Sequence, residues 1–181
     1  MKTRVLLVLS LMLVKIPARG QGTVLFANLG PGVDAPVTNA AGHRIIGPAP
    51  YVADLFWSSD TNAPVDSLSG VGFNVPFSTS TLSGGGYFIG ATRTVPSTQW
   101  FLAQVRVWDA SQGGSYAQAR DHGGEFGSSN PILIFPGFPP GPATPLVGLQ
   151  GFQLGRIPEP SAAGLAFIGV AALWLFRRAR K

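Results

Sequence analysis

His43 and His122 are the only histidines in this 181-residue chain, far apart and each beside a glycine. A zinc site or a general base needs further ligands or carboxylates at short spacing. Asp121 adjoins His122, but no ligand cluster accompanies the pair, so both histidines read as solvated loop residues. Asp60, Asn62 and Asp66 in "SDTNAPVD" carry oxygens of the kind that bind calcium, without the spacing of an EF-hand loop. Asx residues at such positions are ordinary turn formers. "LSGGGYFIG" is Gly-rich but lacks the Gly-Lys-Ser/Thr of a phosphate-binding loop and leads into a strand, which makes it a tight turn. No Gly-x-Ser-x-Gly elbow places a serine nucleophile. Cysteine is absent, which removes thiolate catalysis, Cys-ligated zinc and disulfides together. The expectation is a protein without catalytic residues, metal or other cofactor. The opposing reading, a secreted carbohydrate-active or hydrolytic enzyme, requires two carboxylates facing one cleft.

Trp57, Trp100 and Trp108 suggest a different chemistry. Exposed aromatic rings stack on sugars, and Trp100 and Trp108 fall on one face of a strand together with Gln104 and Arg106. That face would offer stacking and hydrogen bonding at once. The plainer alternative is that these tryptophans are core or edge packing.

The elements that must position such groups are short strands. Alternation and turn signals predict Thr23–Leu29, Tyr51–Ser58, Gly72–Phe77, Gly86–Thr94, Trp100–Asp109, Pro131–Phe135 and Leu146–Leu154. "WFLAQVRVWD" is the clearest, with Phe101, Ala103, Val105 and Val107 on one face and the two tryptophans on the other. One apolar and one mixed face suit an antiparallel sheet packed on one side. Turn formers separate the strands, as in "GPGVDAP", "SDTNAP", "SGGG" and "ASQGG". One short helix is expected near Ser115–Arg120. The stretch 136–145 is either a hairpin excursion or the start of a linker. The expected fold is all-β, an antiparallel β-sandwich of about seven short strands.

Gly 24 and Pro 16 make up about 22% of the chain, against roughly 12% in average usage, which suits many tight turns. The net charge of +5 belongs to the ends. Between Gln21 and Gly155 there are four basic residues (Arg44, Arg93, Arg106, Arg120) and seven acidic ones. A phosphate-binding protein needs its cations on the folded surface, so no nucleic-acid partner is expected.

The first twenty residues open with Lys2 and Arg4, continue with the apolar run "VLLVLSLMLV" and end in small residues. This is the pattern of a secretory signal peptide, cut between Gly20 and Gln21. Ten apolar residues are too few to span a bilayer. Such a leader implies the Sec translocon and signal peptidase as partners. At the other end, 161–176 carries no charge and would reach about 24 Å as a helix. That is slightly short of a hydrocarbon core, a deficit that thinning and flanking residues absorb. Arg177, Arg178, Arg180 and Lys181 follow, so the positive-inside rule leaves this tail in the cytoplasm and the body outside.

Pro158-Glu159-Pro160, an apolar helix and a terminal arginine cluster together resemble the PEP-CTERM sorting signal of Gram-negative bacteria. The resemblance implies processing by exosortase, a membrane-embedded cysteine transpeptidase, near the Pro-Glu-Pro. It also implies a link with extracellular polysaccharide and biofilm material. The prolines hold an extended, helix-resistant segment that a protease can grip. More weakly, "GTVLFANLGPGVDAPV", "YVADLFW", "FLAQVRVWDA", "GSSNPILI" and "LVGLQGFQL" are similar to secreted PEP-CTERM proteins of Verrucomicrobia-like and Planctomycetes-like bacteria, which have no established activity.

The expected organisation is a signal peptide (1–20), a β ectodomain (21–154), a linker with the sorting motif (155–160), a transmembrane helix (161–176) and a basic cytoplasmic tail (177–181). The expected function is that of an exported, non-enzymatic surface or matrix protein. It would be held in the inner membrane by its C-terminal helix, in contact with lipid, and then released to the cell surface or extracellular matrix. Extracellular polysaccharide is the expected ligand class, and a permanently anchored β-domain is the remaining alternative.

Overall fold

A computed structural model describes residues 20–82 and 84–157. The expected signal peptide up to residue 19, the sorting motif, the transmembrane helix and the basic tail lie outside the described residues. Among those described, no helix is long and apolar enough to cross a membrane.

The described chain is built of short β-strands with one short α-helix, as an all-β reading requires. In order they are β1 (Gly22–Phe26), β2 (Leu29–Gly30), β3 (Val33–Asp34), β4 (Val37–Thr38), β5 (Tyr51–Ser58), β6 (Ser69–Gly70), β7 (Val75–Pro76), β8 (Ala91–Val95), β9 (Phe101–Asp109), α1 (Tyr116–Asp121), β10 (Phe126–Ser128), β11 (Ile132–Ile134), β12 (Thr144–Pro145) and β13 (Phe152–Gln153). A single 3₁₀ turn covers Val65–Ser67.

The central pair is β5 with β9, antiparallel from Tyr51 opposite Asp109 to Ser58 opposite Leu102. The expected inward face of β9 is present, but the expectation of a sheet packed on one side is corrected, since Leu102, Gln104 and Trp108 of the other face are buried too. Phe101, Ala103, Val105 and Val107 of β9, and Ala53 and Leu55 of β5, are fully buried on one face. β10 and β11 pair with β9, and β6 and β7 with β5, which completes a six-stranded sheet. A second sheet has the order β12-β1-β8. Val24, Phe26 and Val95 of that sheet join Leu55, Phe101 and Val105 in one hydrophobic core. Burying each of the larger side chains contributes about 1.5–3 kcal/mol.

Several expectations require correction. Thirteen strands, most of two or three residues, replace the expected seven among the described residues. Two ladders are parallel, β1 with β12 and β4 with β13. The reason is non-local: the C-terminal stretch runs back alongside N-terminal strands instead of closing hairpins. The segment 136–145 is accordingly an excursion, with Gly137 bridging Thr23 before β12 docks on β1. "LVGLQGFQL" is mostly irregular, with a turn at Val147-Gly148 and only Phe152–Gln153 in a strand. Leu146, Leu149 and Leu154 are buried at an irregular spacing, because Gly148 (φ 92°) reverses the chain between the first two.

Asn28 is fully buried and fully bonded. Its amide donates to the carbonyls of Ala35 (2.8 Å) and Gly86 (2.9 Å), and its Oδ1 accepts from the Phe88 N–H (3.0 Å). A buried amide satisfied this way ties three segments together. Gly86 has φ 87°, and a Cβ there would sit 2.9 Å from the Pro36 side chain, so only glycine fits. The triple glycine is therefore a packed turn.

Candidate functional site

The groups singled out as possible ligands or bases are absorbed by local structure. The Asp60 carboxylate accepts the Asn62 N–H (2.9 Å), which is an Asx turn, and Asp66 belongs to the 3₁₀ turn. Asp121 pairs with Arg120 at 2.9 Å, while His122 caps α1 with its Nδ1 2.7 Å from the Gln112 carbonyl. His43 is exposed in a turn closed by Asn39. Among the described residues no three His, Cys, Asp or Glu side chains converge as a metal site would require.

The outward face of β9 holds Trp108, and Trp100 stands one residue ahead of the strand; the two ends differ. Trp108 is only 3% exposed. Its indole N–H donates to the Gly113 carbonyl (3.2 Å), and Tyr116 of α1 meets its ring edge-on at 6.3 Å. The helix that covers it starts cleanly, since the Ser115 hydroxyl accepts the Gln118 N–H. Tyr116 also meets Phe126 at 5.6 Å, and the Arg106 guanidinium lies 4.2 Å over Phe56 and 5.1 Å over Tyr116. Arg106 Nε donates to Gln104, whose amide donates in turn to the Ser129 carbonyl. Burial lowers the Arg106 pKa and raises that of Tyr116. This end is a closed cation–aromatic cluster. The expectation that Trp108 offers an open ring is thereby corrected.

Trp100, just before β9, remains open at 57% exposed. The register that sets Phe101 opposite Ile134, both pointing inward, turns Trp100 and Phe135 outward side by side. Their ring centroids are 5.6 Å apart, and Phe138 follows at 5.8 Å from Phe135. Phe135 and Phe138 are 43% and 41% exposed. Beside Trp100 lies a cleft of about 250 Å³ lined by Gly20, Ser59, Pro96, Ser97, Thr98, Gln99 and Trp100 itself. Sequence reasoning found Trp100 but missed Phe135 and Phe138, whose outward turn depends on the pairing of β11. A second cleft, about 280 Å³, lies near Leu29, Ser78 and Ile89. Its one phenol, Tyr87, is buried and donates to Asp34 (2.7 Å).

The third grouping marks where the chain leaves the body. Leu154 donates to the Thr38 carbonyl (2.8 Å), and Gly155 exchanges both backbone bonds with Phe126. Arg156 then pairs with Glu125 at 3.0 Å. The other Glu125 oxygen accepts from the Tyr51 hydroxyl (2.9 Å) and the Ala40 N–H (3.1 Å). Burial, followed by the Glu125 carboxylate, pushes the Tyr51 pKa up to about 12. Glu125 was not distinguishable in the sequence from the turn acids, because its partners come from β5 and from two distant loops. At the opposite end Gly20 and Gln21, the predicted cleavage pair, are exposed just ahead of β1.

Asp54 and Arg93 form a further buried pair, 3.9 Å apart. Arg93 lies between Phe26 and Phe73 and donates to the Phe73 carbonyl. Burial raises the Asp54 pKa and lowers that of Arg93. Both shifts mark charges held away from water, an arrangement that constrains packing more than it stabilises.

No protein-family model, no curated protein and no solved structure matches this chain.

Proposed function

We propose that this chain is an exported, non-catalytic surface or extracellular-matrix protein, delivered by a C-terminal sorting tail that an exosortase-type transpeptidase trims. The observation that supports it most is the position of the last tied residue among those described. The body is pinned through Arg156, and Pro158-Glu159-Pro160 begins two residues later, followed by the uncharged run and the arginine cluster. From Arg156 to Ser161 an extended chain reaches at most about 18 Å. A membrane-seated run at 161–176 would therefore hold the folded body close to the bilayer, with the sorting motif at the surface where a membrane enzyme works. Translocon, signal peptidase, exosortase and lipid are the partners in this reading. The cation-poor body argues against nucleic acid as a partner.

In the same reading the two larger sheets, which share one core, are the layers of a β-sandwich. Intact-mass analysis of the protein from membrane and extracellular fractions tests the sorting step. An extracellular species ending near Pro158–Pro160 is expected. A mature chain that retains Lys181 in every fraction would establish a permanent anchor instead.

A further inference from the structure

We propose that the Trp100–Phe135–Phe138 row and its adjoining cleft bind an uncharged polysaccharide chain. The inference deepens the matrix reading and rests on it for the setting in which such a chain is met. Three observations select this ligand class. The rings follow one another at 5.6 and 5.8 Å with tilts of 56° and 76°, so they offer separate contact points along a line and not a single socket. Half-exposed aromatic rings suit the C–H faces of sugar rings, which are apolar while their edges carry hydroxyls. The cleft that Trp100 shares supplies those edges with partners: the hydroxyls of Ser59 and Thr98 and the amide of Gln99, while the Ser97 hydroxyl holds the turn to Gln99.

Charge decides against other occupants. Every residue lining the cleft is neutral, and so are Phe135 and Phe138 with the chain between them. A nucleic acid or an anionic polymer would find no side-chain cation among these lining residues. A second copy of the chain would bury the rings but leave the neighbouring polar groups to be desolvated. Arg106, the nearest cation on this face of β9, is committed to the closed cluster at the other end.

Native affinity electrophoresis of the detergent-solubilised full chain provides the test. The gels contain a soluble neutral β-glucan, a polyuronate or no polymer. Retardation by the glucan is expected; the polyuronate, which the basic ends of the full chain attract on their own, should retard wild type and Trp100→Ala equally. Trp100→Ala should weaken the glucan effect at least tenfold, and Phe138→Ala should weaken it severalfold. Trp108→Phe keeps an aromatic ring in the buried site and should leave it unchanged. Phe138→Ala keeps the test valid if Trp100→Ala fails to fold. Equal glucan retardation of wild type and both ring variants would overturn the proposal. So would a wild-type dimer that Trp100→Ala converts to monomer without any glucan effect, because the face would then be a self-interface. A chain trimmed normally yet blind to glucan would remove this inference and leave the sorting reading intact. A chain that binds glucan but is never trimmed would do the reverse.

Discussion

Trp100, one residue ahead of β9, and Trp108, near its far end, are eight positions and about 26 Å apart, and they occupy opposite environments. At the Trp108 end, α1 lays Tyr116 against the indole, and Phe56, Arg106 and Phe126 complete the packing. At the Trp100 end the chain continues through proline-rich loops, and the rings of Phe135 and Phe138 are added without a lid. The same residue type is thus structural at one end and available to a ligand at the other. What separates them is the element laid over the strand.

The largest effect expected from disturbing this contrast is at the closed end. Trp108→Ala should cost about 3–5 kcal/mol in urea unfolding, because it empties a buried aromatic site. Glu125→Ala, next to the Phe126 that pairs with Trp108, should cost about 1–3 kcal/mol by stripping Tyr51 and Ala40 of their acceptor. Ser115→Ala, which removes the cap of the covering helix, should cost about 1 kcal/mol. Trp100→Ala should fall within about 0.5 kcal/mol of wild type, as an exposed substitution does. A Trp100→Ala cost as large as that of Trp108→Ala would erase the distinction between the two ends.

Alkali probes the closed end separately. The folded Tyr51 holds its proton up to about 12, whereas a free phenol releases it near 10. The unfolded chain therefore loses this proton first. The stability linked to Tyr51 is fully present below about pH 10 and is lost as pH rises toward 12. Burial raises Tyr116 in the same direction, and the hydrogen bond to Asp34 raises Tyr87. Tyr51→Phe should flatten part of the alkaline decline in melting temperature and leave the rest. An unchanged slope would show that the Glu125–Tyr51 contact does not persist in solution.

Local pattern revealed what depends on local pattern. The alternation of "YVADLFWS" and "FLAQVRVWD" marked β5 residue for residue and β9 to within one residue, and "SYAQAR" marked α1 to within one residue at each end. The inward face of β9 was legible too. Its outward face was not, since Gln104 and Trp108 are covered by Ser129 and α1, which lie further along the chain. Two-residue strands such as β4 and β13 carry too few residues for a period to show, and they pair only because the C-terminal stretch returns beside the N-terminal one. For the candidate site the sequence pointed to Trp100 and paired it with the wrong partner. Phe135 becomes its neighbour through the β9–β11 register, a relation that no short window contains.

The contrast between the two ends of the β9 face is tested most directly by following the indole N–H resonances in an NMR titration with a neutral β-glucan. The account predicts that the Trp100 resonance moves with saturation while those of Trp57 and Trp108 stay in place. A shift at Trp108 with Trp100 unmoved, or saturating glucan that leaves all three unmoved, would contradict it.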